Sequence, residues 1–365
     1  AGRNEHINTP HSLFQIEKSE SSLIKIALEA MGGDHAPRDA VHGGVEAARA
    51  SKGRFEIVLV GDRELVQKEL EKHFHAQGLP ISIEHASEVL EMHEQPSAVL
   101  KKTDCSIAVA MRLHASRAVG AVVSAGNTGA VMASALFGLK RVRGIRRPAI
   151  GQLLPRQDGG QTLLLDVGAN VDSRPEDLVQ FGVMGTIYMS RLFGIEQPRV
   201  GLLNVGHEEG KGNEVTQKAY SLFRSCKCNF IGNVEGNDIT KGTADVVVCD
   251  GFVGNIVLKA AESMHGLFKQ NMRRLVKKYL LSQVGAVLMK PTFDGIRKVF
   301  DYQEYGGAPL LGIQGCCIIA HGKSTPRAIK NAVLAAYKFV IEDVNSKIEA
   351  EVMTKHHDGM RSAVR

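Results

Sequence analysis

Hydroxyl, amide and glycine residues meet at one short turn within Ala121–Ala130, whose sequence is AVVSAGNTGA. An apolar, strand-like run ends at Ser124, and a small-residue helical pattern begins at Asn127. The start of a helix offers unpaired backbone N–H groups and the positive end of the helix dipole, so it attracts anions. We therefore predict that Ser124, Gly126, Asn127 and Thr128 form a phosphate-binding turn.

Six more glycine turns follow apolar runs, and each carries Asn, Asp, Ser or His. Ligands of open parallel sheets bind beyond the carboxyl ends of the strands, so we expect the seven turns to line one cleft. The alternative for any single turn is that its polar residues only cap a helix. The six turns are residues 32–35, 166–172, 206–213, 232–236, 250–255 and 321–322.

The composition is that of a globular protein, because 44% of the 365 residues are hydrophobic and 23% are charged. The chain has no Trp and only 5% aromatic residues, which argues against a nucleic-acid reader built on base stacking. Its six cysteines include no C-x-x-C pair. We therefore expect reduced structural thiols, no metal site and no cofactor.

The pattern between the two polar ends predicts one catalytic domain over residues 23–353. Residues 1–22 lack an apolar segment and are interpreted as a tag or disordered extension, and 354–365 as a disordered tail. Residues 118–139 are uncharged, but their glycines and polar residues favour a strand followed by a buried helix over a membrane span.

Strand-like and helical patterns alternate along the chain, which predicts an α/β fold. The strand runs are nearly continuously apolar, as expected of a doubly wound, mostly parallel sheet with helices on both faces. One long helix is predicted over 97–116. The main strands are predicted at 24–30, 55–61, 81–86, 121–124, 150–154, 162–166, 200–205, 229–231, 244–249 and 315–320.

Several familiar catalytic motifs are absent from the sequence. The first strand is not followed by G-x-G-x-x-G, and neither a P-loop nor a G-x-S-x-G elbow occurs. Two function classes remain open at this point. One is a metal- and NAD-dependent decarboxylating dehydrogenase, and the other is a regulatory protein that binds phosphate without turnover.

Seven segments in order resemble the PlsX family of phosphate acyltransferases. The resemblance covers about Ile24 to Asp343. Glu29 departs from the family pattern, which usually has Asp there, but it keeps the carboxylate. The segments are IALEAMGGDHAPR, AVVSAGNTGAVMA, LLLDVGANVD, GLLNVGHEEGKGNE, FIGNVEGNDI, ADVVVCDGFVGNIVLK and YGGAPLLGI.

The resemblance implies transfer of a long-chain acyl group from acyl-ACP to inorganic phosphate, giving acyl phosphate and ACP. It also implies a homodimer with a fold similar to the isocitrate/isopropylmalate dehydrogenase and phosphotransacetylase group. The product would supply a membrane glycerol-3-phosphate acyltransferase in phospholipid synthesis. The expected location is cytoplasmic, peripheral at the inner membrane face.

The reaction does not require a nucleophilic side chain, because the thioester is already activated and phosphate is already an anionic nucleophile. We expect direct attack by bound phosphate without a covalent acyl-enzyme. The polar residues of the turns are then candidates for orienting the substrates. Candidate catalytic residues are His35, Asn255, Lys259 and His321, and candidate substrate-binding residues are Asp34, Asn170, Lys211, Asn213, Asn233 and Asp250.

Residues 259–305 are predicted to form a basic helical hairpin with an apolar tip. The stretch 263–293 contains six basic residues and no acidic one, and 280–289 is apolar. The hairpin could pack in a dimer or in the core, lie on an anionic bilayer, or dock acidic ACP.

Overall fold

In the computed structural model, which describes residues 23–293, 295 and 306–362, the described strands form a single eleven-stranded sheet. Their spatial order is β3-β2-β1-β4-β11-β10-β5-β6-β9-β7-β8. The predicted extension, 1–22, lies outside the described residues. The strands are β1 Ile24–Glu29, β2 Phe55–Gly61, β3 Ile81–His85, β4 Ala121–Ser124, β5 Ala149–Pro155, β6 Gln161–Leu165, β7 Arg199–Leu203, β8 Asn229–Val234, β9 Val246–Val248, β10 Ala308–Leu311 and β11 Cys316–Ile319.

Helices connect most of these strands, which confirms the α/β fold. Two short 3-10 helices, Phe74–Ala76 and Pro96–Leu100, supplement them. The α-helices are α1 Arg38–Ser51, α2 Arg63–Leu70, α3 Ser106–Ala115, α4 Thr128–Leu139, α5 Pro175–Phe193, α6 Glu214–Arg224, α7 Gly236–Lys241, α8 Gly251–Lys278, α9 Leu280–Leu288, α10 Pro326–Ile341 and α11 Val344–Ser362.

The sheet is mostly parallel but reverses direction at its centre. Strands β3, β2, β1, β4 and β11 are parallel to one another, as are β6, β9, β7 and β8. Between these two halves, β10 is antiparallel to β11 and to β5, and β5 is antiparallel to β6. The carboxyl ends of the two halves therefore point in opposite directions. The expectation that all seven turns share one edge is wrong.

Both faces of the sheet are covered, as the doubly wound prediction requires. Along β1, Ile26 and Leu28 pack into the core on one face, whereas Ala27 packs into the core on the other. All three side chains are fully buried. This alternation follows from the two-residue period of a strand, and it explains why the strands read as continuous apolar runs.

The predicted helix over 97–116 is wrong in its first half. Residues 96–100 form a 3-10 helix, and α3 begins only at Ser106. The break is stabilised by Asp104, whose carboxylate accepts hydrogen bonds from the N–H and hydroxyl of Ser87. A bridge between Glu88 and Cys105 also uses backbone groups that a continuous helix would need.

Another difference concerns the C-terminal part of the chain. Strand β10 was not predicted, because it has only four residues and contains Pro309. The last helix, α11, spans Val344–Ser362. Its buried side chains Val344, Ile348 and Val352 recur every four residues, and this spacing anchors the helix to the core.

Helices α8 and α9 form the described part of the hairpin. The 28 residues of α8 include only two buried ones, Gly251 and Gly254. Leu280 is 77% exposed and Leu281 is 86% exposed. The described part of the hairpin therefore does not pack into the core of its own chain. Within the described residues, no helix combines the length and apolar character needed to cross a bilayer.

Candidate functional site

A pocket of about 260 Å³ lies over the central antiparallel strands, between the two parallel halves of the sheet. One side comes from the start of α4, the turn after β11 and the start of β10. The other side comes from the turn after β6 and the early part of α8. The described lining residues are Thr128, Ile150, Gln152, Val167, Gly168, Asn255, Leu258, Lys259, Glu262, Gly307, Ala308, Ile319, Ala320, His321, Ser324 and Ala328.

Four predicted site residues line this pocket: Thr128, Asn255, Lys259 and His321. They come from both halves of the sheet, because β4 and β11 lead to Thr128 and His321 whereas α8 carries the other two. Lys259 Nζ lies 2.9 Å from Glu262 Oε2, so the ammonium group is already paired with an acid at the pocket wall. The pocket thus combines amide, hydroxyl, imidazole and ammonium donors.

The ring of His321 is oriented by a local hydrogen bond. Its Nδ1 accepts a hydrogen bond from the N–H of Lys323 at 3.0 Å. A nitrogen that accepts carries no proton, so the neutral ring bears its proton on Nε2. His321 can therefore act as a donor through Nε2 while Nδ1 remains bonded to the backbone.

The start of α4 faces the pocket through Thr128. Asn127 is the N-cap, and its side-chain oxygen accepts a hydrogen bond from the N–H of Ala130 at 3.1 Å. Among the described residues, none accepts a hydrogen bond from the N–H of Thr128 or Gly129. Two backbone donors at the positive end of a twelve-residue helix remain available to an anion.

The side chain of Asn127 is occupied by structural hydrogen bonds. Its Nδ2 donates to the carbonyl oxygens of Met92 and Glu94, both at 3.0 Å. Lys102 holds the same loop, because its Nζ lies 2.7 Å from Glu94 Oε1. Asn127 therefore fixes the loop at 92–94 beside the turn, in addition to capping α4.

Ser124 is fully buried and points away from the pocket, towards Glu29. Its hydroxyl donates to Glu29 Oε2 at 2.7 Å and accepts the N–H of Gly126 at 3.1 Å. Ser106, the first residue of α3, donates to Glu29 Oε1 at 2.7 Å. Burial raises the pKa of Glu29, and the hydrogen bonds from the two serines and Gly126 oppose this rise.

Glu29 was not among the predicted site residues. It is 2% exposed although it carries a carboxyl group. The signal in the sequence was an acidic residue at the end of the apolar run IKIALE, immediately before the turn at Gly32 and Gly33. Such a position marks a buried polar group at the carboxyl end of a strand, where ligands of α/β sheets bind.

Asp166 organises the turn that contributes Gly168 to the pocket. Its Oδ1 accepts hydrogen bonds from the N–H groups of Ile150, Gly168 and Ala169. Its Oδ2 accepts from the N–H and the Nδ2 of Asn170. Burial raises the pKa of Asp166, and these hydrogen bonds oppose the rise. Asn170 is itself buried and does not line the pocket, so the structure places it in a supporting position.

The start of α8 packs directly on that turn. Asp250 is the N-cap of α8 and accepts a hydrogen bond from the N–H of Val253 at 2.8 Å. A Cβ atom at Gly254 would lie 1.8 Å from the carbonyl oxygen of Asp166, and one at Gly251 would lie 2.8 Å from its carboxylate. Only glycines allow this approach, which brings α8 and its polar residues to the pocket.

The turn after β1 adjoins the turn after β11. The N–H of Asp34 donates to the carbonyl oxygen of Gly322 at 2.8 Å. Asp34 and His35 are both exposed, and neither is among the described residues that line the pocket. They therefore lie next to the turn that carries His321, at the rim of the site.

Lys211, Asn213 and Asn233 belong to a separate region. Asn213 caps α6, and Asn233 donates to the carbonyl oxygen of Glu208 at 2.8 Å. None of the three is among the described residues lining the pocket. Lys211 and Asn213 follow β7, and Asn233 lies in β8. Both strands lie beyond β9 at the end of the sheet order, so the strand order separates these residues from β6.

Thiol groups and potential metal ligands were located relative to the pocket. In the described part of the chain, no cluster of three or more His, Cys, Asp or Glu side chains could hold a metal ion. The described lining contains no cysteine. Burial raises the pKa of Cys317 to about 12, which keeps that thiol protonated and unreactive.

The comparisons with known proteins cover nearly the whole described chain. Residues 24–347 match the family described as "Fatty acid synthesis protein". A phosphate acyltransferase of Pelotomaculum thermopropionicum is 50% identical over 332 residues, which cover 90% of this chain and 96% of the relative. One from Dictyoglomus turgidum is 49% identical over 327 residues, covering 89% and 96%. The chain belongs to the phosphate acyltransferase family. It is therefore an enzyme, which sets aside the non-catalytic and dehydrogenase alternatives.

Solved structures support the fold of this phosphate acyltransferase family member. EutD phosphotransacetylase from Staphylococcus aureus has a TM-score of 0.60 at 14% identity, with 91% of this chain and 99% of that chain covered. A phosphotransacetylase from Streptococcus pyogenes has a TM-score of 0.59 at 18% identity, with coverage of 88% and 94%. The similarity confirms the predicted relation to the phosphotransacetylase fold.

Proposed function

We propose that this chain transfers a long-chain acyl group from acyl-ACP to inorganic phosphate, giving acyl phosphate and free ACP. The observation that carries the proposal is the pocket at the start of α4. The unpaired N–H groups of Thr128, which lines the pocket, and of the adjacent Gly129 suit an anion. Lys259, paired with Glu262, contributes an ammonium donor at the pocket wall. Ile150, Leu258 and Ile319 provide apolar lining near these donors, as an acyl substrate requires.

The proposed reaction is direct attack without a covalent acyl-enzyme. A phosphate oxygen attacks the thioester carbonyl carbon, and the tetrahedral intermediate then breaks its C–S bond. Holding phosphate against the carbonyl can contribute about 7–11 kcal/mol, and one oxyanion donor about 2.7–4 kcal/mol. Asn255 and His321 both line the pocket. In this proposal Asn255 stabilises the oxyanion, and His321 gives its Nε2 proton to the departing thiolate.

Three surfaces of the hairpin support three further parts of the proposal, which are a homodimer, docking of ACP and contact with the membrane. Met264, Leu267, Phe268 and Leu275 form an exposed apolar stripe along α8, which suits a second copy of the chain. The basic residues Lys269, Arg273 and Lys277 recur every four positions on another face of α8, which suits acidic ACP. Leu280 and Leu281 at the turn into α9 suit insertion into an anionic membrane surface.

The proposed location is the cytoplasm, with peripheral binding at the inner membrane face, and the exposed apolar residues Leu280 and Leu281 support it. Acyl phosphate is a reactive and amphipathic product, so delivery at a membrane favours its use by a glycerol-3-phosphate acyltransferase there. Neither a cofactor nor a nucleic acid takes part in this proposal.

Release of ACP thiol from palmitoyl-ACP, with and without inorganic phosphate, tests the proposed reaction. We expect release that depends on phosphate, together with acyl phosphate that hydroxylamine traps as a hydroxamate. Release without phosphate would indicate a hydrolase, and no release beside an active control enzyme would exclude acyl-ACP as the donor.

A further inference from the structure

The carboxylate of Glu29 lies directly beneath two glycine turns at the edge of the candidate site. A Cβ atom at Gly32 would lie 2.1 Å from Glu29 Oε2, and one at Gly126 would lie 3.0 Å from the same oxygen. The Cβ position at Gly32 is also only 2.5 Å from the nitrogen of Gly126. The two turns are therefore packed against each other and against this carboxylate.

Three elements are joined through Glu29, which ends β1. Ser106 at the start of α3 donates to one carboxylate oxygen, and Ser124 at the end of β4 donates to the other. Ser124 in turn fixes the peptide N–H of Gly126, because its hydroxyl oxygen accepts a hydrogen bond from that group. The carboxylate thus fixes the direction of both serine hydroxyls and, through Ser124, the peptide group at the beginning of the turn.

We propose that Glu29 is a positioning residue that holds the turn Ser124–Thr128 in the orientation in which it binds phosphate. This inference rests on the proposed function of that turn. Glu29 is buried, so it acts through Ser124 and Gly126 and does not touch substrate. An amide in its place would present a donor to one serine hydroxyl, which would reverse or break that hydrogen bond.

The test compares Glu29→Gln with Asp177→Asn in the phosphate-dependent release of thiol from palmitoyl-ACP. Asp177 is a matched control, because it is 1% exposed and lies at the start of α5, outside the described pocket lining. We expect Glu29→Gln to raise the KM for phosphate about tenfold or more, because a buried hydrogen bond that fixes the turn is reversed or lost. The KM for palmitoyl-ACP and kcat should change less than about twofold to threefold.

A purely structural role for Glu29 predicts a different pattern. Both variants would then lower the melting temperature and leave the KM for phosphate unchanged, and this result overturns the inference. If Glu29→Gln does not fold, Ser124→Ala replaces it, with Ser51→Ala as the control for deletion of a buried hydroxyl. The same rise in the phosphate KM then supports the inference, and an unchanged value overturns it.

Phosphate-dependent thiol release by the parent enzyme distinguishes failure of this inference from failure of the proposed function. If the parent shows no phosphate-dependent release, the proposed function fails and the role of Glu29 fails with it. If the parent depends on phosphate and the folded Glu29→Gln variant has the parent's phosphate KM, only the positioning role fails.

Discussion

At the residue scale, the polar groups divide into those that face the pocket and those that hold its walls. Thr128, Asn255 and His321 face the pocket, whereas Ser124 and Asn170 are buried behind it. This division has a physical cause, since a turn that presents backbone N–H groups to a ligand needs other side chains to fix its shape.

Two variants of Asn127 separate its role as the N-cap of α4 from its role in holding the loop at 92–94. Asn127→Ser keeps a hydroxyl that can cap α4, whereas Asn127→Ala removes the cap, and both lose the hydrogen bonds to Met92 and Glu94. We expect Asn127→Ala to be about 1 kcal/mol less stable than Asn127→Ser in urea unfolding. Both variants should raise the apparent phosphate requirement, because the turn and its neighbouring loop are no longer held together. An unchanged requirement in both would remove Asn127 from the site.

Asp245 is expected to contribute to stability in a pH-dependent way. Burial raises its pKa, but hydrogen bonds from Arg199 and Arg156 outweigh burial and leave the pKa below its usual value. A carboxylate of this kind stabilises the fold above its unfolded pKa of about 3.9, and the contribution is lost as the pH falls through the folded value. Asp245→Asn should cost about 3–5 kcal/mol in urea unfolding at pH 7, because two arginines lose a buried partner.

The free energy of unfolding at acidic pH tests whether Asp245 stabilises the fold through its charge. The difference in stability between parent and Asp245→Asn should shrink as the pH falls below the unfolded pKa of about 3.9 and through the lower folded pKa, since the parent loses its ion pairs there. A difference that stays constant with pH would assign the loss to packing rather than to charge.

At the element scale, α8 serves both the site and the hairpin. Its first turns pack on Asp166 through Gly251 and Gly254, and its second half is exposed. The same helix therefore carries Asn255 and Lys259 into the pocket and extends the apolar stripe outward. A shift of the first turns of α8 would therefore move both the pocket residues and the apolar stripe.

Two glycines of α8 test this coupling in one helix. Gly254→Ala places a methyl group 1.8 Å from the Asp166 carbonyl oxygen, whereas Gly266→Ala meets no described heavy atom within 4 Å. We expect Gly254→Ala to lose about 1–3 kcal/mol and most activity, because α8 must move off the turn. Gly266→Ala should gain up to about 1 kcal/mol from better helix propensity, with activity retained. Melting temperature and thiol release measure both, and a fully active Gly254→Ala enzyme would contradict the packing argument.

The apolar tip of the hairpin gives a second element-scale prediction. Leu280→Glu combined with Leu281→Glu should weaken binding to phosphatidylglycerol vesicles in a flotation assay and leave activity with soluble palmitoyl-ACP intact. Phe74→Glu is the matched control, because Phe74 is 88% exposed but lies outside the hairpin. Equal vesicle binding by the tip variant and the control would count against membrane contact.

At the scale of the whole molecule, the exposed stripe on α8 predicts a homodimer. Light scattering should give twice the 39.5 kDa chain mass. Leu267→Glu with Leu275→Glu should shift the mass towards one chain, because two charges would be buried in the interface. Gln270→Glu, at an exposed position of the same helix, should leave the dimer intact. A monomeric parent would remove the dimer from the proposal.

The α/β class, the strands around Ile26 and Val122, and the turn at Ser124–Thr128 were predictable from the sequence. Local patterns carry this information, because apolar runs, glycine turns and helix caps each depend on a few neighbouring residues. The resemblance of seven segments also predicted the family, which the comparisons confirmed.

Which turns meet was not predictable in this way, because it depends on the arrangement of the strands in the sheet. The antiparallel strands β10 and β5 reverse the sheet, so the turns at Gly168 and His321 reach one pocket while those at Lys211 and Asn233 do not. The orientation of Ser124 towards Glu29 rather than the pocket was not predictable either. Strand order and side-chain partners depend on contacts between residues far apart in the chain, and no local pattern records them.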